Sequence, residues 1–400
     1  MTAHHAHPAS FPPILSRRAR LVAGLLVGFS AGVTVHGLFF HAPDIWPSLL
    51  LGAFFFLSLG VSGLFFFAGQ RLSGARWSAG LRRVPEALML LLPWAALAML
   101  ALYFGRHALY PWTHEGAFAG DPAIAGRGRY LTETGVFSRA VLSFTIWTLA
   151  AWRLRAISLA QDRQPAANLL MHAALNRTAA LFVVLFAPTF TFTVYDWILS
   201  LEPHWFSTMF AVYVFAGTFV QGIAAVTLAV VLLRRRGFLS SVVGDEQLHD
   251  LGKMLFAFSI FWAYIWVSQY LLIWYGNLPE EVPYYVKRTR GPWLILFALN
   301  FVLNWVVPFL LLLSARAKRN ARLLAGVSVV LLVGHWLDLY VMIMPTQPVA
   351  VTPGLYALAV AAGGAALAFL LVAANLARAP LYPENDPVLV AGRAPGPIHF

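Results

Sequence analysis

Residues 248–290 read LHDLGKMLFAFSIFWAYIWVSQYLLIWYGNLPEEVPYYVKRTR, and this stretch decides the fold class. It has no charged side chain from residue 254 to residue 276, which exceeds the roughly 20 apolar residues that a helix needs to cross a bilayer. Helix-breaking residues follow at Asn277 and Pro279, and two acidic and three basic residues come before position 291. A long uncharged run followed by a short charged loop predicts a transmembrane helix with the loop in water.

The same alternation recurs along the whole chain. The sequence is 60% hydrophobic with a mean hydropathy of +0.72, whereas soluble domains contain roughly 45–50% apolar residues. Because the alternating strand pattern of a β-barrel is absent, we predict an all-α integral membrane protein with ten transmembrane helices. The predicted spans 1 to 10 cover residues 21–41, 45–70, 83–105, 134–152, 178–201, 207–233, 251–276, 292–314, 321–345 and 353–377.

The absence of cysteine limits the chemistry of the chain. It excludes disulfides, thiolate-held iron–sulfur clusters and covalently attached c-type haem. A b-type haem would need axial ligands inside the spans, where only His36 and His335 clearly lie. We therefore expect no metal or haem of its own.

The net charge of +12 comes from basic residues that flank the predicted spans, so it indicates topology and not a nucleic-acid partner. Cytoplasmic loops of membrane proteins are enriched in Lys and Arg. The N-terminal tail, the C-terminal tail and the loops after spans 2, 4, 6 and 8 hold most of the 28 basic residues. We predict that both termini are cytoplasmic and that the segment 277–291 is outside. The outside then holds Arg106, Arg127, Arg129, Arg139, Lys287, Arg288 and Arg290.

Two similar helix ends suggest an internal repeat. In span 5 Asp196 precedes Pro203 by seven residues, and in span 9 Asp338 precedes Pro345 by the same spacing. Both helices run in the same direction, which predicts two parallel four-helix units with spans 1 and 10 outside them. The predicted organisation is a cytoplasmic N-tail (1–20), a membrane domain (21–377) with bundles at 45–201 and 207–345, and a cytoplasmic C-tail (378–400).

Acidic residues inside the spans are the candidates for a proton path. A carboxylate in lipid is costly, so Asp196 and Asp338 are expected to face the protein interior. Thr189 and Thr193 lie on the same helical face as Asp196, and His335 is three residues from Asp338, close enough to touch. Such groups can hold or pass a proton. The alternative is that both aspartates cap loops or bind neighbouring helices.

Other polar residues in the spans are weaker evidence for a proton path. Asn300 and Asn304 in span 8 could line a water path, although such residues more often form hydrogen bonds between helices. Glu86 lies at the cytoplasmic entrance of span 3 beside Arg82 and Arg83, so an interfacial ion pair is expected there ahead of a proton entry.

Several segments from span 5 to the C-terminus resemble the NrfD-like membrane subunits of bacterial alternative complex III, a quinol:electron-acceptor oxidoreductase. They keep the family's order and cover slightly more than half of the chain, whereas the first 130 residues match only in span pattern. The segments are YDWILSLEPHWFSTMFAVYVFAGTFVQG (195–222), the stretch 248–288 quoted above, PFLLLLSARAKRN (308–320), HWLDLYVMIMP (335–345) and PENDPVLV (383–390).

The resemblance implies the NrfD-like fold of polysulfide-reductase-type membrane subunits, in the bacterial inner membrane. It implies haem c and iron–sulfur subunits on the outer face and a paralogous NrfD-like membrane subunit that is usually credited with the quinol site. The role implied for this chain is a scaffold with proton conduction, with quinone or quinol and membrane lipids as ligands. Asp196, His335 and Asp338 correspond to buried polar positions of the family. Asn304 stands where a histidine is expected, and it cannot titrate.

A cofactor-free subunit of a redox complex must bind its partners through surface residues. The segment 277–291 places charges of both signs on the outer face, against the usual enrichment of basic residues inside. The alternative is a solvated loop that only anchors the helix ends. The predicted docking residues are Glu280, Glu281, Lys287, Arg288 and Arg290.

Three functional classes stay open at this point. The first is a non-redox subunit of a quinol-oxidising complex. The second is the quinol-binding subunit itself, which requires a lipid-accessible pocket beside Asp196 or beside His335 and Asp338. The third is an independent secondary transporter, which would usually show Gly-interrupted helices meeting at the bilayer midplane. The only midspan Gly-Gly pair, Gly363–Gly364, lies outside the predicted repeats.

Overall fold

A computed structural model describes residues 14–118, 125–163, 169–347 and 354–383, together with residues 385, 386 and 389. Within these ranges the chain is helical, with no β-strand. Ten helices of this described part are long and apolar enough to cross a membrane, which confirms the predicted number and defines a multi-pass α-helical membrane protein. Spans 1 to 10 are Arg17–Phe40, Pro43–Leu72, Arg83–Leu109, Glu133–Gln161, Leu170–Leu201, Phe210–Arg235, Asp245–Gly276, Trp293–Leu311, Ala321–Thr346 and Leu355–Leu376.

Two neighbouring spans run further than their apolar stretches predict. Span 4 continues to Gln161 where the sequence predicts an end at residue 152, and span 5 begins near residue 170 where the sequence predicts 178. The extra turns of span 4 carry a charged side chain that is paired inside the protein. Arg155 is buried and forms an ion pair with Glu86 at 2.6 Å. Because this extension depends on ion pairs between spans, a count of apolar residues misses it.

Span 8 changes helix type in its middle. It is α-helical over Trp293–Phe301, π-helical over Val302–Val306 and α-helical again over Val307–Leu311. Pro308 follows the π turn and has no backbone N–H to donate, and a wider turn is one way for a helix to accommodate this. Turns of this kind often occur at functional sites. This one carries the buried Asn304.

Spans 2, 6 and 9 are the most buried helices and form the centre of the molecule. Span 2 packs against spans 3, 5, 6 and 10, and span 6 packs against spans 2, 7 and 9. Spans 4 and 5 pack on each other, and span 1 packs mainly on span 10 with most of its surface exposed. Spans 2 and 6 are therefore in direct contact at the centre, and each of them packs on several further spans.

Glycines allow the central helices to approach closely. A Cβ atom added at Gly222 in span 6 would lie 2.3 Å from Cβ of Ser62 in span 2. A Cβ atom added at Gly63 would lie 2.6 Å from Cβ of Leu88 in span 3. Since neither distance is sterically allowed, these two contacts require glycine, as is common where membrane helices pack without a water-driven hydrophobic force.

Candidate functional site

Asp338 is a fully buried carboxylate to which three other spans donate hydrogen bonds. The Tyr213 hydroxyl of span 6 donates to Oδ1, and Nδ2 of Asn300 in span 8 donates to the same oxygen at 2.7 Å. Nε1 of Trp262 in span 7 donates to Oδ2 at 3.0 Å. With Asp338 itself on span 9, this carboxylate centre joins four consecutive spans through one side chain.

A further hydrogen bond orients Asn300, one of these three donors. Asn304 lies in the π turn of span 8, and its Nδ2 donates to Oδ1 of Asn300 at 2.6 Å. This bond leaves the Asn300 amide nitrogen free to donate to Asp338. Gly334 makes room for the pair, because an added Cβ there would lie 2.7 Å from Oδ1 of Asn304. The structure therefore gives Asn304 a positioning role that needs no titratable group.

His335 lies one helical turn before Asp338 on the same span and is also buried. Its Nδ1 is 3.8 Å from Oδ2 of Asp338, near enough for electrostatic interaction but too far for a hydrogen bond. Among the described residues, neither ring nitrogen has a hydrogen-bond partner. The ring faces Gly217 of span 6, where an added Cβ would lie 2.7 Å from Nδ1, and Phe55 of span 2. His335 thus lies where span 9 meets spans 6 and 2.

The chemistry of this centre follows from its donors. The three groups that bind the Asp338 carboxylate are neutral, so no formal positive charge among these partners offsets the cost of burying the ionised form. The Tyr213 hydroxyl can accept as well as donate, whereas an indole N–H only donates. A protonated Asp338 could therefore donate to Tyr213 while Trp262 and Asn300 keep their bonds. The arrangement suits a group that gains and loses a proton.

Asp196, the corresponding residue of span 5, has a different environment. It is buried and accepts two hydrogen bonds from Arg139 of span 4, from Nε at 2.8 Å and from Nη2 at 2.9 Å. The guanidinium group also lies 3.9 Å from the centre of the Tyr130 ring. Asp196 thus has a two-point ion pair with a positive charge, whereas the donors to Asp338 are neutral, so the two aspartates that look alike in sequence are chemically unlike.

The predicted threonines do not form a chain with Asp196. Thr189 accepts a bond from Nε1 of Trp147 at 2.9 Å and donates to the backbone oxygen of Leu185 at 2.7 Å. Thr193 donates to the backbone oxygen of Thr189 at 2.9 Å. Within the described part of the chain, no hydrogen bond joins these side chains to each other or to Asp196. His335 and Asp338, on the other hand, are brought together.

The segment 277–291 is folded and is anchored by Arg288. It contains the short helix Val282–Thr289, in which Arg288 is only 1% exposed. Its guanidinium group donates to the backbone oxygens of Val341 and Met342 at 2.9 and 2.7 Å, and to Glu202 at 3.1 Å. The segment is thus tied to the end of span 9 and to the loop after span 5.

The guanidinium group of Arg288 is therefore bound within the chain and not free for a partner. The other predicted docking residues are more exposed. Glu280, Lys287 and Arg290 are exposed, and the Lys287 side chain keeps 50% of its surface while pairing with Glu202 at 3.4 Å. Glu281 is partly buried, and its backbone oxygen accepts a bond from Nε1 of Trp205 at 3.0 Å. The surface that this segment offers to a partner comes from its exposed charges.

The end of the bundle that carries the arginine-rich loops contains a buried ion network, and we call this end the arginine-rich face. Glu86 is fully buried and accepts bonds at 2.6 Å from both Arg83 and Arg155, and one at 2.5 Å from Ser158. The expected pairing with Arg83 is present. The pairing with Arg155 of span 4 could not be read from the sequence, because it lies 69 residues away.

A cavity of about 360 Å³ lies close to Asp196, at the C-terminal end of span 5. Four of the eleven residues that border it are aromatic, and Arg127 borders it as well; the aromatic residues are Tyr130, Tyr195, Trp205 and Phe206. Ser200, which also borders the cavity, donates to the backbone oxygen of Asp196 at 2.6 Å.

The functional partners that sequence reasoning missed are Tyr213, Trp262 and Arg139. Aromatic residues are so frequent in membrane helices that no local pattern distinguishes a carboxylate ligand among them. Arg139 carried a signal, since a basic residue inside an apolar helix requires a partner.

No protein-family model matches the chain, and no curated protein matches it. Among the described residues, no group of three or more His, Asp or Glu side chains is placed to hold a metal ion. The conclusions about function therefore depend on the geometry of the site and on the residues themselves.

Proposed function

We propose that this multi-pass membrane protein is a subunit of a quinol:electron-acceptor oxidoreductase of the alternative complex III type, in which it scaffolds the complex and holds an exchangeable proton at Asp338. The observation that carries the proposal is the carboxylate centre. One buried carboxylate, bound only by neutral donors from spans 6, 7 and 8, gives these spans a common contact and provides a site for one proton.

The same proposal covers topology and partners. We propose that the protein lies in a bacterial inner membrane with both termini cytoplasmic, so that the arginine-rich face is cytoplasmic and Asp338 lies in the outer half. Spans 2–5 and 6–9 would form the two parallel bundles of an NrfD-like fold. Support comes from the placement of Asp196 and Asp338 at matching positions of spans 5 and 9, and from the segments that resemble the family.

The proton is held by this chain's own residues. When Asp338 is ionised, Tyr213, Asn300 and Trp262 donate to it; when it is protonated, its O–H donates to the Tyr213 oxygen after the hydroxyl turns. His335, 3.8 Å away and without a hydrogen bond in the described part of the chain, is placed to receive the proton after a small shift of its ring. The proton moves between two groups of one helix, and no electron is transferred by these side chains.

A second candidate function is favoured by the aromatic cavity beside Asp196. A quinol headgroup needs an apolar, aromatic-lined space with a few polar groups, and this cavity has that composition. Oxidation of the quinol would release two protons and pass two electrons to haem or iron–sulfur partner subunits. On this alternative the chain is the quinol-binding subunit of the same class of complex.

The experiment begins with purification of the chain from native membranes and mass spectrometry of the proteins that co-elute. Haem and iron–sulfur subunits are expected. An active, monodisperse protein without partners would instead indicate a transporter.

Asp338→Asn then tests the proton role in the assembled complex. We expect quinol oxidation or its coupled proton release to fall while the subunit composition stays unchanged. Asp245→Asn is the matched control, because this exposed aspartate pairs with Arg234 at the surface, far from the carboxylate centre along the chain. Wild-type turnover and wild-type proton release in Asp338→Asn would make the centre structural.

A further inference from the structure

We infer that a second cavity, on the arginine-rich face, binds the phosphate headgroup of an anionic phospholipid. This headgroup cavity has a volume of about 260 Å³ and lies between the inner ends of spans 2, 3 and 5. The inference is independent of the proposed function. Its wall includes Phe66, Phe67, Gln70, Arg71, Arg76, Arg82, Pro85, His172, Asn176 and Asp386.

One wall of the headgroup cavity is basic. Arg71 contacts Nδ1 of His172 through one terminal nitrogen, and its Nε donates to Oδ1 of Asn176 at 2.8 Å. These contacts hold the guanidinium group at the cavity wall, where Arg82 and the exposed Arg76 also lie. The planar guanidinium group matches the oxygens of a phosphate, so three arginines at one small cavity favour this anion.

Apolar side chains also line the headgroup cavity. Phe66 and Phe67 of span 2 and Pro85 at the start of span 3 border the same space. The cavity lies at the last turns of span 2 and the first turns of spans 3 and 5, which is the depth of lipid headgroups. Basic pockets between transmembrane helices at this depth bind anionic headgroups. A free phosphate ion would use only the arginines, whereas a phospholipid would also use the apolar side chains.

The C-terminal segment contributes a carboxylate to this cavity. Oδ2 of Asp386 accepts a hydrogen bond from Arg82 at 2.6 Å. Asp386 thus occupies a donor that a phosphate oxygen would otherwise use, and its negative charge opposes an anionic ligand. We therefore expect Asp386 to weaken lipid binding.

Native mass spectrometry of the full chain, with any subunits that co-purify, tests the inference by titration with phosphatidylglycerol. Phosphatidylglycerol is expected to bind more tightly than phosphatidylcholine. Arg71→Gln and Arg76→Gln should each weaken it about fivefold, the effect of one basic residue at a membrane surface. Arg316→Gln, which removes an exposed arginine outside the cavity, should leave affinity unchanged. Asp386→Asn should strengthen binding by a similar factor.

Further measurements separate a lipid site from a folding defect and from a site for free phosphate. Arg71→Lys keeps the positive charge but loses the planar guanidinium group, so its affinity should lie between those of Arg71→Gln and the wild type, which distinguishes loss of charge from loss of folding. Equal affinity for the two lipids, or no effect of Arg71→Gln and Arg76→Gln, would overturn the inference. Inorganic phosphate that binds as tightly as phosphatidylglycerol and displaces it would show a site for the free anion and also overturn the lipid assignment.

Discussion

Asp338→Asn should destabilise the protein through a single hydrogen-bond mismatch. In the wild type, Oδ1 accepts from Tyr213 and Asn300, and Oδ2 accepts from Trp262. Asparagine has one acceptor oxygen and one amino group. Its oxygen is best placed at the Oδ1 position, where two donors meet, so its amino group then faces the N–H of Trp262.

The magnitude follows from that geometry. One hydrogen bond is lost and one buried indole N–H is left unsatisfied, which costs about 1–3 kcal/mol of the free energy of unfolding. Trp262→Phe removes the orphaned donor and should recover part of this cost in the Asp338→Asn background. Trp262→Phe alone also removes contacts of the indole ring. The quantity to measure is therefore the coupling free energy between positions 338 and 262.

Unfolding in mixed detergent micelles would give the four free energies of this double-mutant cycle. A favourable coupling of roughly 1 kcal/mol or more is expected between Asp338→Asn and Trp262→Phe. If Asp338→Asn is as stable as the wild type and shows no coupling, the carboxylate does not accept three donors in its ionised form. That result would refute the reasoning. A permanently protonated Asp338 has one donor group and one acceptor oxygen, as asparagine has, so the substitution would then cost little stability.

The other predictions concern the segment 277–291 and the ion pair between Arg139 and Asp196. Arg288→Gln removes the charge paired with Glu202 and should lower the free energy of unfolding by about 3–5 kcal/mol, whereas Lys287→Gln should cost about 0–1 kcal/mol because this lysine is half exposed. Charge reversal at Lys287 and Arg290 together, which leaves the anchor intact, should weaken partner binding more at low salt than at high salt. Co-purification across a salt series measures this, and unchanged assembly would make the segment only an anchor. Arg139→Gln should lower the free energy of unfolding by about 3–5 kcal/mol, and hydrogen exchange should localise the loss to the parts of spans 4 and 5 that this ion pair joins. A loss spread evenly over the chain would contradict this view of the ion pair.

Some properties were determined by the sequence alone because they depend on local composition. The number of spans follows from runs of uncharged residues, since bilayer thickness sets a minimum helix length whatever the neighbours are. The burial of Asp196 and Asp338 was predictable for a similar reason, because lipid penalises a charged side chain at any exposed position. The contact between His335 and Asp338 follows from helix geometry over three residues.

Only the tertiary structure decided what these residues do. Asp196 and Asp338 have the same spacing to a proline, yet one is paired with Arg139 and the other is bound by neutral donors. Arg288 looked like a surface charge and is buried, because its partners are backbone oxygens of span 9 that no sequence pattern marks. Contacts between distant spans depend on how the helices pack, and a single sequence does not encode these contacts in any local signal.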